Sequence, residues 1–285
     1  MPPHQIVSFT GHGGLRLAGD AWGDPTAAPV VLLPGGGQTR HSWRGTGRAI
    51  ARAGWYAVSL DARGHGDSAW AEDGDYTIDA FAADLRAVAA ALGRAPVVVG
   101  ASLGGITALI AEGEATGTAA AMVLVDVAAR IEVAGAERVR AFMSAFPDGF
   151  ASLEEAADVV AAYLPHRPRP RQLAGLTKSL RQGPDGRWRW HWDPRFLGGA
   201  RPPSDVANPP RLAAAAAALT VPTLLVRGQQ SDVLSEAGAA DFLRLVPHAR
   251  YVDVTDAGHM VAGDRNDRFT DAVVGFLAGL TNGNP

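Results

Sequence analysis

The 285-residue chain contains no cysteine. This absence excludes disulfides, thiolate metal sites, iron–sulfur clusters and a cysteine nucleophile, so any covalent chemistry needs another nucleophile. An excess of either charge is also missing, because 26 Lys and Arg residues face 29 Asp and Glu residues, for a formal net charge of -3. No dense basic run is present. The sequence therefore favours a small, roughly neutral substrate over nucleic acid or a membrane surface.

Long apolar runs are absent as well. No stretch approaches the ~20 residues needed to span a bilayer, and the first residues lack the basic and apolar regions of a signal peptide. We therefore expect a cytoplasmic protein. Hydrophobic residues make up 47% of the chain and charged residues 19%, a composition typical of a folded globular protein rather than a disordered chain or a coiled coil.

Short apolar runs alternate with helical patterns along the chain, which predicts an α/β fold with a mostly parallel, eight-stranded sheet and helices on both faces. The predicted strands are an opening hairpin, Gln5–Thr10 and Leu15–Trp22, then Val30–Leu33, Tyr56–Leu60, Val97–Val99, Ala121–Val127, Thr223–Val226 and Arg250–Val254.

The segment 129–212 breaks this rhythm, because it is rich in Pro and Arg and holds Trp188, Trp190 and Trp192. We expect residues 1–128 and 213–285 to form the α/β core and residues 129–212 to form a helical cap over the carboxyl edge of the sheet, where α/β folds bind ligands. The three tryptophans could bind substrate or simply pack the cap onto the core, and both interpretations stay open.

A serine lies in the sequence Gly100-Ala101-Ser102-Leu103-Gly104, between a predicted strand and a predicted helix. This placement is typical of a nucleophile elbow, in which small residues let the strand and the helix approach and leave the hydroxyl exposed. Ser102 is the predicted nucleophile. A serine hydroxyl needs a base to take its proton, and His259, which follows the last predicted strand, is the predicted general base.

The base needs an acid to hold its tautomer, and Asp126 and Asp232 both follow late strands. We favour Asp232, because Gly228 and Ser231 form a loop suited to turn its carboxylate toward the sheet edge. Asp126 is the alternative acid, although we expect it to accept backbone hydrogen bonds at its strand end.

An oxyanion formed during attack needs two backbone N–H donors, one after the nucleophile and one from the loop after the third strand. Leu103 is the first predicted donor. Gly36, in the sequence Pro34-Gly35-Gly36-Gly37, is the second, since glycines let the backbone approach a substrate closely. His65, in the loop after the fourth strand, is interpreted as part of a hydrogen-bonded structural loop.

Five motifs together resemble the α/β-hydrolase superfamily, and the resemblance covers the whole chain outside the 129–212 segment. They are Pro34-Gly35-Gly36-Gly37…Trp43, Asp61-x-Arg63-Gly64-x-Gly66-x-Ser68, Gly100-x-Ser102-x-Gly104-Gly105, Arg227-Gly228-x-x-Ser231-Asp232 and Gly258-His259. Pro34 stands where family members usually have a histidine. Similar proteins with an aspartate at the elbow are epoxide hydrolases or haloalkane dehalogenases, so Ser102 indicates the serine-nucleophile, esterase-like or lactonase-like branch.

These features predict a serine hydrolase that cleaves a small, hydrophobic carboxylic ester or lactone through an acyl-serine intermediate. Two alternatives stay open: carbon–carbon bond hydrolysis or peracid formation by the same triad, and a non-catalytic ligand receptor of this fold. No phosphate-binding loop, zinc-binding helix or metal-ligand spacing is present, so we expect no metal and no other cofactor.

Overall fold

The computed structural model describes residues 4–165, 169, 172–203, 209–264 and 266–281. Parts of the predicted cap, residues 166–168, 170–171 and 204–208, therefore lie outside the described residues. The strands, in chain order, are β1 (His4–Thr10), β2 (Arg16–Trp22), β3 (Pro29–Leu33), β4 (Tyr56–Leu60), β5 (Val97–Ala101), β6 (Ala121–Val125), β7 (Leu180–Gln182), β8 (Trp188–Trp190), β9 (Thr223–Gly228) and β10 (Arg250–Val254).

Eight of these strands form one sheet in the order β1-β2-β4-β3-β5-β6-β9-β10. The first two strands pair antiparallel with each other, and β2 pairs antiparallel with β4. The remaining neighbours in this sheet, from β4 through β3, β5, β6 and β9 to β10, pair parallel. The predicted eight-stranded, mostly parallel sheet is confirmed.

Helices cover both faces of the sheet. The α-helices, in chain order, are α1 (Arg44–Arg52), α2 (Ile78–Ala91), α3 (Leu103–Glu114), α4 (Val133–Ser144), α5 (Leu153–Tyr163), α6 (Arg195–Gly198), α7 (Pro209–Ala217), α8 (Glu236–Leu245), α9 (Val261–Asp264) and α10 (Asn266–Thr281). Along β3, Val31 and Leu33 join the apolar cluster beneath α2, α3, α7 and α8, whereas Val30 and Leu32 join the cluster beneath α1 and α10. Strands buried on both faces read as continuous apolar runs for this reason. No helix in the described ranges is both long and apolar enough to cross a membrane.

The segment 129–212 follows β6, contains α4, α5, α6 and the antiparallel hairpin of β7 and β8, and ends within the first turn of α7. It has a small apolar cluster of its own around Phe150, Ala156 and Leu180. Polar contacts fasten it to the α/β core: the Tyr76 hydroxyl donates to Asp193 Oδ2 at 2.6 Å, and the Asp193 N–H donates to the Gly64 carbonyl at 2.9 Å.

A buried arginine joins the loops that follow β3 and β4. Arg40 contacts Asp20 at 3.2 Å and Asp67 at 2.9 Å, and it also pairs with Asp61, while its backbone N–H donates to Asp61 Oδ1 at 2.7 Å. Its side chain is only 7% exposed. These contacts hold the chain three residues beyond Gly37 against the end of β4.

Replacing this arginine should destabilise the fold strongly. We expect Arg40→Met to lower the free energy of unfolding by about 3–5 kcal/mol, because it leaves buried carboxylates without their counter-charge. Arg244→Met is the matched control, since the 72% exposed side chain of Arg244 pairs with Asp241 at the surface and such pairs contribute about 1 kcal/mol or less. Urea denaturation of both variants measures the difference, and equal losses would contradict a structural role for the buried cluster.

Candidate active site

Ser102 occupies a strained turn between β5 and α3. Its backbone has φ 47° and ψ -116°, a region that non-glycine residues rarely adopt. A Cβ atom at Gly100 would lie 2.4 Å from the Gly104 carbonyl oxygen, and one at Gly104 would lie 2.5 Å from the Leu33 carbonyl oxygen. Only glycine fits at either position, so the strand, the helix and the end of β3 approach closely around Ser102.

Asp126 follows β6 directly and is buried completely. The strand ends at Val125, one residue earlier, and Asp126 adopts a left-handed backbone with φ 52°. Its Oδ1 accepts the Gly228 N–H at 2.9 Å, and its Oδ2 accepts the Ser231 hydroxyl and lies 2.7 Å from His259 Nδ1. The carboxylate therefore joins the loop after β9 to the histidine that follows β10.

Asp232 lies elsewhere, which corrects the preference for it as the partner of His259. Its carboxylate is 2.8 Å from the guanidinium of Arg138 in α4, and its side chain is 37% exposed. The end of β9 and the loop after it do turn polar groups toward the sheet edge, but those groups are the Gly228 N–H and the Ser231 hydroxyl. They bind Asp126, and His259 is thus paired with the alternative acid.

The glycine loop after β3 lies beside the serine turn. A Cβ atom at Gly35 would be 3.4 Å from Ser102 Cβ, and one at Gly36 would be 3.8 Å from Leu103 Cδ2. The two predicted oxyanion donors, Gly36 and Leu103, are therefore neighbours at Ser102.

The same glycine loop also contacts the histidine loop. The Gln38 side-chain amide lies 2.8 Å from Met260 Sδ, next to His259. The loops that follow β3, β5, β6 and β10 thus meet at one edge of the sheet.

The three predicted cap tryptophans lie at different distances from the glycine loop. A Cβ atom at Gly37 would be 3.2 Å from the Trp192 ring and 2.8 Å from Met143 Cε, so Trp192 lies against the glycine loop. Trp190 stacks on Trp192 with 5.0 Å between ring centroids. Trp188 packs against the small cluster around Phe150, which Trp190 also contacts. Of the three, Trp192 is the one that approaches the glycine loop, and a role in substrate binding stays a prediction.

Four residues near the glycine loop escaped prediction as site residues. Met143 and Phe196 approach Gly37 and Gly36, and His65 and His191 bind the Gly37 backbone. The loop motif around His65 was a usable signal, although it suggested structure rather than function. The other three lie in the 129–212 segment, where nothing in the sequence indicates which side chains fold over the sheet edge.

Both of these histidines are buried, and burial favours the neutral form of each ring. Burial lowers the pKa of His65, against the opposing effects of its hydrogen bond to the Arg63 carbonyl and of Asp61 and Asp193. Burial also lowers the pKa of His191 to about 3, helped by His65 and Arg181 and opposed by the Gly37 carbonyl and Asp67. Across the described residues, no group of three or more acidic or histidine side chains is arranged to hold a metal ion.

Comparison with known proteins agrees with this architecture. The family profile described as alpha/beta hydrolase fold matches residues 28–265. The chain belongs to the alpha/beta hydrolase fold family. The membership predicted from the five sequence motifs is confirmed.

Relatives in this family match over most of their length. Esterase Rv0045c of Mycobacterium tuberculosis is 32% identical over 264 residues, covering 90% of this chain and 84% of that protein. The 3-hydroxybutyrate-oligomer hydrolase of Cupriavidus necator is 31% identical over 267 residues, covering 86% of this chain and 87% of that protein. Among solved structures, an alpha/beta hydrolase from Novosphingobium aromaticivorans superposes with a TM-score of 0.80 at 27% identity, covering 96% of this chain and 98% of that one.

The two aspartates should respond differently to the same substitution. We expect Asp126→Asn to lower kcat by on the order of 10⁴, the loss typical of this substitution in a Ser-His-Asp triad, because an amide in that place no longer holds the histidine tautomer. Asp232→Asn should keep kcat within about tenfold of the wild type, because its partner is Arg138 and not the histidine. Steady-state hydrolysis of a p-nitrophenyl ester gives kcat for both variants, and thermal melts show whether they are folded. A larger kcat loss in Asp232→Asn would favour Asp232 as the partner of His259.

The buried neutral histidines should make the protein sensitive to acid. The pKa of His191 falls from 6.5 to about 3 on folding. Below pH 6.5 the unfolded chain therefore binds a proton at this histidine that the folded chain does not bind. The free energy of unfolding decreases as the pH falls from 6.5 toward 3. We expect the melting temperature of His191→Asn to depend less steeply on pH between 6.5 and 4 than that of the wild type. The control is His248→Asn, at an exposed histidine that contacts the Val221 carbonyl, and identical slopes for all three proteins would refute the argument.

Proposed function

We propose that this chain is a serine hydrolase that cleaves a small, hydrophobic carboxylic ester or lactone through an acyl intermediate on Ser102. The observation that carries the proposal is the 2.7 Å contact between His259 Nδ1 and the buried Asp126 carboxylate, at the sheet edge where Ser102 stands on its strained turn. The names of the curated relatives, an esterase and an oligomer hydrolase, support an ester-cleaving hydrolase.

The proposed reaction begins when His259 Nε2 removes the proton of the Ser102 hydroxyl as its oxygen attacks the acyl carbon. The oxyanion that forms accepts hydrogen bonds from the Gly36 and Leu103 N–H groups. His259 then donates its proton to the leaving alcohol, and the acyl group stays on Ser102. A water molecule, deprotonated by the same imidazole, releases the acid.

Asp126 acts through the histidine in this mechanism. Its Oδ2 accepts the Nδ1 proton and so keeps Nε2 free to serve as a base, and its negative charge balances the imidazolium that forms in each half-reaction. The Gly228 N–H and the Ser231 hydroxyl fix the carboxylate in place, one at each oxygen.

The side chains beside the glycine loop support a small, apolar substrate. Met143, Trp192 and Phe196 approach the Gly36–Gly37 backbone, and all three belong to the 129–212 segment. These side chains are apolar and lie close to the glycine backbone, which favours a compact apolar acyl or alcohol group. We propose that this segment acts as the cap and that it selects short or compact apolar substrates.

Loss of the serine hydroxyl should abolish turnover. We expect Ser102→Ala to be inactive yet to melt at the wild-type temperature within a few degrees, because the hydroxyl supplies chemistry and little packing. A fluorophosphonate probe should label the wild type and the control Ser8→Ala, which lies exposed on β1, but not Ser102→Ala.

A panel of p-nitrophenyl esters of increasing acyl length, with lactones added, should show the highest kcat/KM for short acyl chains. Labelling of Ser102→Ala at the wild-type level would remove Ser102 from the nucleophile role. A preference for long acyl chains would contradict the proposed substrate class.

A further inference from the structure

Two histidine side chains hold the Gly37 residue of the glycine loop from opposite ends. The Gly37 N–H donates to His65 Nε2 at 3.1 Å, and the Gly37 carbonyl oxygen is 3.2 Å from His191 Nε2. His65 comes from the loop after β4, whereas His191 comes from the 129–212 segment just after β8. Both rings are buried, with 0% and 2% of their surface exposed.

The second nitrogen of each ring fixes its tautomer. His65 Nδ1 lies 2.9 Å from the Arg63 carbonyl and must donate to it, so Nε2 is left as the acceptor that Gly37 needs. His191 Nδ1 accepts the Gly66 N–H at 2.7 Å, so Nε2 carries the proton that the Gly37 carbonyl needs. Each ring is therefore neutral and its contact with Gly37 has one direction.

Neighbouring aromatic rings shield this pair of contacts from solvent. The two imidazole rings are 5.7 Å apart between centroids, and the Phe196 ring meets His65 edge-on at 4.7 Å. Hydrogen bonds in such a place gain strength from the low local polarity, and a lost partner cannot be replaced by bulk water.

The held residue is next to a predicted oxyanion donor. Gly37 has φ 75°, and the Gln38 N–H donates to the Gly35 carbonyl at 3.1 Å, which closes the loop into a tight turn. Three successive glycines have unusual backbone freedom, so the turn alone does not hold them in one conformation. With the peptide units on both sides of Gly37 fixed by the histidines and Gly35 fixed by Gln38, Gly36 has little freedom left.

We propose that His65 and His191 are positioning residues that aim the Gly36 N–H into the oxyanion hole. Because His191 belongs to the 129–212 segment, the hole is complete only when this segment is seated on the sheet edge. The proposal rests on the function proposed above, for which Gly36 is an oxyanion donor. It adds that the segment contributes to transition-state stabilisation as well as to substrate choice.

Paired substitutions separate the contact with Gly37 from the other contact of each ring. An asparagine amide reaches the place of Nδ1, so His65→Asn and His191→Asn keep the contacts with Arg63 and Gly66 but lose Gly37. A glutamine amide reaches the place of Nε2, so His65→Gln and His191→Gln keep Gly37. The control is His248→Asn, far from the loop on the surface.

Two readouts apply to the five variants. We expect the asparagine variants to lose roughly tenfold or more in kcat with KM changed less than about threefold, because a misaimed donor acts on the transition state and not on substrate binding. The glutamine variants should recover most of this loss. Hydrogen exchange of the peptide that covers residues 35–38 should be faster in the asparagine variants than in the glutamine variants and the control.

Equal kcat values within each Asn and Gln pair, or exchange of the loop peptide that is the same in all variants, would overturn the proposal. If one variant fails to fold, the pair at the other histidine decides. A failure of the proposed function looks different, because a wild-type protein without ester turnover and without labelling at Ser102 would refute that function while the exchange data still test the loop contacts.

Discussion

The buried carboxylate of Asp126 is the constraint on which the arrangement of the site depends. A fully buried charge is costly unless it is hydrogen-bonded, and Asp126 meets this cost with the Gly228 N–H, the Ser231 hydroxyl and His259 Nδ1. These three donors come from the last residue of β9, from the loop after β9 and from the loop after β10. The ends of three parallel strands are thereby tied to one another, and the histidine has a fixed position at the edge where Ser102 stands.

A second constraint is the close packing of glycine backbone around Ser102. Gly100 and Gly104 let β5, α3 and the end of β3 meet at distances that exclude any side chain, and the loop of Gly35–Gly37 lies across the same point. Glycine lets backbone segments approach each other closely, but it also gives the loop more conformational freedom. The structure restores rigidity from outside the loop, through the buried Arg40 cluster that follows it and through His65 and His191 on Gly37.

The sheet and the family membership were predictable because they depend on local patterns: apolar runs, glycine-flanked turns and a serine between a strand and a helix. The partner of His259 was not, since both candidate aspartates follow parallel strands and the choice depends on where one side chain turns. Asp126 adopts a left-handed backbone conformation one residue past its strand, and no local sequence motif predicts that conformation. The roles of Met143, His191 and Phe196 depend on how the 129–212 segment packs over the sheet edge, which is a long-range property of the fold.

The proposed mechanism requires that Ser102 is acylated and that water then releases the acyl group. Rapid-quench mass spectrometry of the wild-type protein mixed with a short-chain ester detects this intermediate. The mass of one acyl group should appear within the first turnover, map to the peptide that carries Ser102 and decay as the free acid forms. Product release without any covalent adduct, or an adduct that maps to a different residue, would rule out the acyl-serine mechanism.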